Sequence, residues 1–286
     1  MRILLTGAGG QLGQCFVDRF PSDWELLATT SQQLDINDRQ KVRRIVDEFE
    51  PHFIVNAAAY TAVDNAEKYP EQARQVNVHG VENLALAAQH SGSRLIHIST
   101  DYVFDGNAST PYCDSDATSP LGVYGKTKLD GERIAAETNP DAIIIRTAWV
   151  FSEYGANFLK TMVRLAKDRD SLSIVSDQSG CPTYAGDIAM AVIQLISVNA
   201  SCGIYHFCGD RSVTWSEFAR SIFQAAHEQG ILQQIPDIKP ISTAEYPTPA
   251  RRPKYSVLDC SKIVRCGVIQ SPWALRLKEV LEKLKD

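Results

Sequence analysis

The chain is 286 residues long, enough for one large domain or two small ones, because single cores stop growing at about 250 to 300 residues. That length excludes a disulfide-stapled miniprotein, and hydrophobic residues at 44%, charged residues at 22% and a mean hydropathy of −0.18 support neither wholesale disorder nor membrane residence. With 29 Lys and Arg against 34 Asp and Glu, the net charge of −5 leaves no basic footprint for nucleic acid or anionic lipid, so a small-molecule ligand is expected.

Residues 2–6 form a short apolar run ending in glycines, the pattern of a buried parallel strand, and Leu12, Cys15 or Phe16, and Phe20 then recur at helical spacing. A second strand is predicted from Trp24 to Ala28. A helix follows, with Val42, Ile45, Val46 and Phe49 on one face, Asn37 or Asp38 as N-cap and Pro51 as stop. Phe53-Ile54-Val55 is the next strand, Val81, Leu84, Ala85 and Ala88 mark a helix, and Leu95 to Ile98 is a strand again. A helix from Ser119 or Tyr124 to Glu137 leads to the strand at Ala142 to Ile145. This alternation predicts an α/β fold built on a Rossmann-type, doubly wound parallel sheet with right-handed crossovers.

After about residue 150, Pro and Gly punctuation at Gly180-Cys181-Pro182, Gly203, Gly209 and from Pro236 to Pro253 separates helices predicted near 157–168, 187–197, 214–229 and 272–284. Residues 151–286 are expected to form mainly a smaller C-terminal substrate-binding lobe, the second wall that a crevice at strand ends needs, with part of 170–210 rejoining the sheet. The seven cysteines include no C-x-x-C pair and the six histidines have no metal spacing, so reduced thiols, a cytoplasmic location and no bound metal are expected. The apolar run Ile3-Leu4-Leu5 is far shorter than a membrane span of about 20 residues, so no targeting segment is expected.

Thr6-Gly7-Ala8-Gly9-Gly10-Gln11-Leu12-Gly13 sets G-x-x-G-x-x-G between the first strand and the first helix, where backbone must approach a pyrophosphate. Gly7 and Gly10 allow the turn and the approach, Gly13 allows helix and strand to pack, and the helix N-terminus offers N–H donors. Residues 1–150 therefore read as an NAD(P)-binding domain. The carboxylate expected about 20 residues on, for a ribose hydroxyl, is replaced by Thr29, Thr30 and Ser31. Hydroxyls there suit a 2′-phosphate but lack the Arg of a strict NADP site; NADPH is favoured and NADH stays open. Asp35-Ile36 either meets the adenine edge or forms an Asx turn before the helix. Asn56-Ala57-Ala58-Ala59-Tyr60 ends the third strand with side chains small enough for a cofactor to lie against.

Thr100 and Asp101 end another predicted strand, and Tyr124 and Lys128 stand at i and i+4 on the following helix. An ammonium beside a phenol is expected to lower the tyrosine pKa from about 10 toward working pH, giving a general acid for a carbonyl that accepts hydride. Thr100 would hydrogen-bond the same carbonyl oxygen. Trp149 either packs on a sugar or base face or is core. Arg251 and Arg252 either pair with a diphosphate or lie in a solvated loop.

Taken together, the glycine loop, Ala57 to Asp64 with Ala66-Glu67, Ser99 to Gly106 and Tyr124-Gly-Lys-Thr-Lys128 resemble the extended short-chain dehydrogenase/reductase family. Arg146 to Phe151, Asn157-Phe158, Gly180 to Thr183, Arg252-Pro253, Ser256 and Leu258-Asp259 extend the resemblance over nearly the whole chain, to the subgroup whose members reduce the C4 ketone of dTDP-4-dehydro-L-rhamnose with NADPH or NADH for surface polysaccharide. The resemblance implies that Tyr124 donates the proton, that Lys128 tunes it and holds the nicotinamide ribose, and that Thr100 orients the ketone. It implies sugar-nucleotide contacts from Asp101, Tyr102 and Trp149, and a cofactor lining of Gly10, Gln11, Leu12, Asp35, Ile36 and residues 57–60, with Thr30 beside them.

Some members dimerise through a magnesium site that uses an acidic residue in the first helix, where this chain has Gln14-Cys15-Phe16; a monomer or a metal-independent homodimer is expected. Two other readings stay open. One is a cofactor-binding regulatory protein similar to the beta subunit of methionine adenosyltransferase, and the other is a reductase of a different keto sugar nucleotide.

Overall fold

Ile3, Leu4 and Leu5 lose all contact with solvent because their strand has a neighbour on each edge and helices over both faces. The computed structural model describes residues 1–285. Its central sheet contains β1 (Arg2–Thr6), β2 (Glu25–Thr29), β3 (Phe53–Asn56), β4 (Arg94–Thr100), β5 (Ile143–Thr147) and β6 (Gly203–His206). All pairings are parallel, in the order β2-β1-β3-β4-β5-β6. The chain runs outward from β1 to β2 and then crosses back over β1 to β3. That reversal is a topological switch point, and it opens a crevice beyond the carboxyl ends of β1 and β3.

The longer helices are α1 (Gln11–Asp18), α2 (Arg39–Phe49), α3 (Gly80–Ser91), α4 (Val123–Thr138), α5 (Phe158–Asp168), α6 (Ala185–Ser197), α7 (Trp215–Glu228) and α8 (Trp273–Lys283). One sheet face is covered by α1 and α6, through Cys15, Phe16, Ile188 and Val192. The other is covered by α2, α3 and α4, through Val42, Val46, Val81, Leu84 and Ala135. The predicted strands and helices lie within a few residues of these elements. Asp38, one of the two N-cap candidates, caps α2 by accepting from the Lys41 N–H at 3.0 Å.

A separate core joins α5, α7 and α8 through Leu159, Met162, Phe218, Ile222, Leu277 and Val280. Within 170–210 the chain divides: Ser171–Val175 pairs with Asp237–Ile241 beside this second core, whereas α6 and β6 pack into the first. The strand Asp237–Ile241 has no sequence signal, because Pro240 interrupts it; such a residue is tolerated in a two-stranded edge pairing. Val257, Leu258, Ile263 and Val268 also return to the first core. Among the described residues no helix is long and apolar enough to cross a membrane.

Candidate active site

The turn after β1 is as tight as backbone permits. Gly7 has φ +73°, and a Cβ on it would stand 2.5 Å from the Ala58 nitrogen, so only glycine lets β1 and β3 end side by side. Gly10 is the N-cap of α1, which has no side-chain cap and no acidic residue in its first turn. Its first N–H groups are therefore free for an anion, and Gly10, Gln11 and Leu12 line a cleft of about 520 Å³ at the switch point. The Gln11 amide oxygen is held by the Ser152 hydroxyl (2.9 Å) and the Asn157 amide (2.8 Å), which ties the loop to the segment before α5.

The facing wall comes from β4 and α4. Thr100, Asp101, Tyr102, Tyr124, Lys128 and Trp149 all line the same cleft. Helix α4 approaches because a Cβ on Gly125 would meet the Tyr102 carbonyl oxygen at 2.2 Å, and the Tyr102 and Tyr124 rings meet edge to face at 5.5 Å. The helix start is fixed from outside, where the Glu67 carboxylate accepts from the Val123 N–H at 2.7 Å. Farther along, Glu132 accepts from Ser99 of β4 and from the Arg146 guanidinium of β5, fastening α4 to the sheet.

The electrostatics correct one sequence expectation. Burial pushes the Tyr124 phenol up to about 12, with neighbouring Asp101 adding to the rise and Thr100 opposing it. The expected lowering by Lys128 is not among the causes of this shift, and burial outweighs the rest; the Lys128 ammonium donates to the Ile98 carbonyl oxygen at 2.6 Å. Lys128 itself is pushed down by burial to about 8, against the pull of Glu132. Burial likewise raises the Asp101 carboxyl to about 6, while Ser256 and Thr100 act to lower it. Thr100 donates to Asp101 Oδ1 at 3.0 Å, but Asp101 Oδ2 is buried without a partner.

The remaining predicted residues are placed less directly. Ala57 and Ala59 line the cleft; Ala58 packs against the second sheet face, and Tyr60 is held through its backbone by Asn77. Thr30 packs beside the glycine loop, its methyl 3.6 Å from where a Gly9 Cβ would be, and does not line the cleft. Asp35 forms the Asx turn, accepting from the Asn37 N–H at 2.9 Å, and Ile36 is buried; neither lines the cleft. Arg252 pairs with Asp64 at 2.7 Å and Arg251 is exposed. Trp149 has φ +45° and stacks on Trp215 with centroids 3.4 Å apart.

Sequence reasoning missed Thr147. It is paired in register with Thr100, it is buried in the cleft lining, and its hydroxyl has no partner. Orphaned oxygens on Thr147 and Asp101, the uncapped α1 and the space above Gly10 fit a ligand with a phosphate end and a hydroxyl-bearing end.

With this geometry in view, the chain compares closely with known proteins. The family described as the RmlD substrate binding domain matches residues 1–286. The dTDP-4-dehydrorhamnose reductase of Aggregatibacter actinomycetemcomitans is 47% identical over 287 aligned residues, 98% of each chain. The crystal structure of a dTDP-4-dehydrorhamnose reductase from Clostridium acetobutylicum superimposes with a TM-score of 0.94 at 39% identity over 100% of both chains. That of the enzyme from Bacillus anthracis, in complex with NADP, gives 0.93 at 36% identity over 99% of both.

Proposed function

The chain belongs to the RmlD substrate binding domain family, that of the dTDP-4-dehydrorhamnose reductases, and we propose on that premise that its cleft reduces the C4 ketone of dTDP-4-dehydro-L-rhamnose at the expense of NADPH. The protein is an NADPH-dependent oxidoreductase of rhamnose and polysaccharide biosynthesis. One observation carries the assignment of the site: Thr100, Tyr124 and Lys128 line the same cleft as the glycine loop that ends at an uncapped helix.

The α1 N–H groups at Gln11 and Leu12 would hold the pyrophosphate, and Ala57 and Ala59 leave room for the cofactor along β3. The bound dihydronicotinamide supplies the hydride. A carbonyl carbon that gains hydride leaves its oxygen needing a proton, and a phenol held near 12 is protonated at neutral pH, so Tyr124 acts as donor. Thr100 offers a second hydroxyl to the same oxygen. Lys128 is anchored by Ile98 and would hold ribose hydroxyls beside Tyr124. Asp101 Oδ2 and Tyr102 would meet sugar hydroxyls, and Trp149 would supply a flat apolar face.

In this reading residues 1–150, with α6 and β6, bind cofactor, and most of 151–286 closes over the sugar nucleotide. The protein works in the cytoplasm, as a monomer or a metal-independent dimer, with its cysteines reduced. The test is NADPH consumption with dTDP-4-dehydro-L-rhamnose made in place from dTDP-glucose by a dehydratase and an epimerase. Consumption should require the epimerase and fall by ~10²-fold or more in Tyr124→Phe while cofactor affinity persists. Undiminished turnover in that variant would remove Tyr124 as donor, and NADPH binding without turnover would favour the regulatory reading.

A further inference from the structure

Beneath Lys128 lies a row of buried polar side chains that the reaction as described does not use. Thr6, Asn56 and His97 occupy one rung of the sheet, since Thr6 pairs in register with Asn56 and Asn56 with His97. All three are fully buried, and the row ends at Lys128. Thr6 Oγ1 donates to Asn56 Oδ1 at 2.8 Å, and the Ala58 N–H donates to the same oxygen at 3.1 Å. Asn56 Nδ2 lies 3.0 Å from His97 Nδ1, and His97 Nε2 lies 3.3 Å from Lys128 Nζ.

These contacts determine where the protons are. A backbone N–H can only donate, so the Ala58 contact fixes which end of the Asn56 amide is oxygen. The Asn56 NH₂ must then donate to His97 Nδ1, leaving a neutral imidazole its proton on Nε2. That N–H faces Lys128 Nζ. An ammonium has three donors and no lone pair, so charged Lys128 meets His97 donor against donor, whereas a neutral amine accepts from it. The opposing pull comes from Glu132 on the same helix, itself shared with Arg146 of β5; Tyr124 on the helix and Asp101 and Tyr102 after β4 are the other titratable groups of this wall.

We propose that His97 is a positioning residue for Lys128, locked by Asn56 as the Nε2–H tautomer so that the cofactor-free cleft brings the neutral amine closer in energy to the ammonium than it is in a free lysine. The Lys128 proton is thereby one that the site can surrender and regain at working pH, while Ile98 keeps Nζ in place. Burial pushes His97 well below its ordinary range, which keeps it neutral. The proposal rests on Tyr124 and Lys128 being the catalytic pair, but its test reads the free protein, so its failure would leave the reductase reading standing.

The experiment is NMR of the full chain without cofactor, using isotope-labelled histidine and lysine, with Lys128 identified by the resonance lost in Lys128→Met. The ring nitrogens of His97 should report the Nε2–H tautomer. Asn56→Asp supplies an acceptor in place of the amide donor, turns His97 to the Nδ1–H form and should raise the Lys128 midpoint by ~1 pH unit or more. On a His97→Leu background the same substitution should move that midpoint by less than half as much. An Nδ1–H tautomer in the wild type overturns the proposal, as does an equal shift in both backgrounds. If the variants do not fold, the wild-type tautomer decides.

Discussion

The Arg146 guanidinium grips the Glu132 carboxylate through two forks, Nη2 to Oε2 at 2.7 Å and Nε to Oε1 at 3.0 Å, with both side chains 3% exposed. Two charges this deep stabilise the fold only as a pair. Glu132→Leu, which strands the guanidinium, is expected to cost about 3 to 5 kcal/mol, and adding Arg146→Met should recover most of it. Urea unfolding of the wild type and the two variants measures both steps. Because Glu132 shares α4 with Tyr124 and Lys128, the single variant should also lose turnover that the double variant does not fully regain.

The glycine loop separates folding from binding. A Cβ on Gly13 would stand 2.2 Å from the Gly7 carbonyl oxygen, whereas one on Gly10 meets nothing nearer than 3.4 Å. Gly13→Ala is expected to fold poorly. Gly10→Ala should keep its unfolding free energy within about 0.5 kcal/mol and yet lose NADPH affinity, because its methyl enters the space over α1. Melting curves beside a fluorescence titration with NADPH distinguish the two.

Local pattern carried the frame of this molecule. Glycines after an apolar run marked the turn above β1, and the Tyr124 and Lys128 spacing placed both on one helical face, because turn chemistry and helical period are written within a few residues. What the sequence could not show depends on distant partners. Asp64 and Arg252 lie 188 residues apart and still pair, and Glu67 caps a helix from outside it. The Thr6, Asn56 and His97 row follows from strand register, which no single strand encodes. The expected drop in the Tyr124 pKa failed for a related reason: spacing reports adjacency, while burial of the phenol, set by the whole fold, pushes it up.

Thr147 offers a case in which binding and stability part ways. Its hydroxyl is buried without a partner beside Thr100, so Thr147→Val removes an unsatisfied group and keeps the shape. The variant should unfold at the same or higher urea concentration. If a ligand oxygen or amide occupies that hydroxyl, cofactor or substrate affinity falls about 3- to 10-fold, the worth of one hydrogen bond. Separate titrations with NADPH and with a nucleotide-sugar product identify which ligand it serves.

Asp101 sets a pH dependence whose sign distinguishes it from an ordinary paired carboxylate. Its carboxyl is raised from 3.8 to about 6 by burial. Between those values the unfolded chain has released the proton and the folded protein still holds it, so stability falls as pH rises through the window and levels off above about 6. Below 3.8 both states are protonated and the penalty vanishes. His206 works in the opposite direction, since burial and Arg146 push it down to about 4 and it loses stability as pH falls below its ordinary 6.5. Subtracting Asp101→Asn from the wild type cancels the histidine. The difference in unfolding free energy should grow in favour of the variant by roughly 3 kcal/mol between about pH 4 and pH 7. A flat difference would mean that Asp101 is ionised and compensated in the free cleft. Saturating sugar nucleotide should shrink the difference, because a hydroxyl donated to Oδ2 favours the carboxylate.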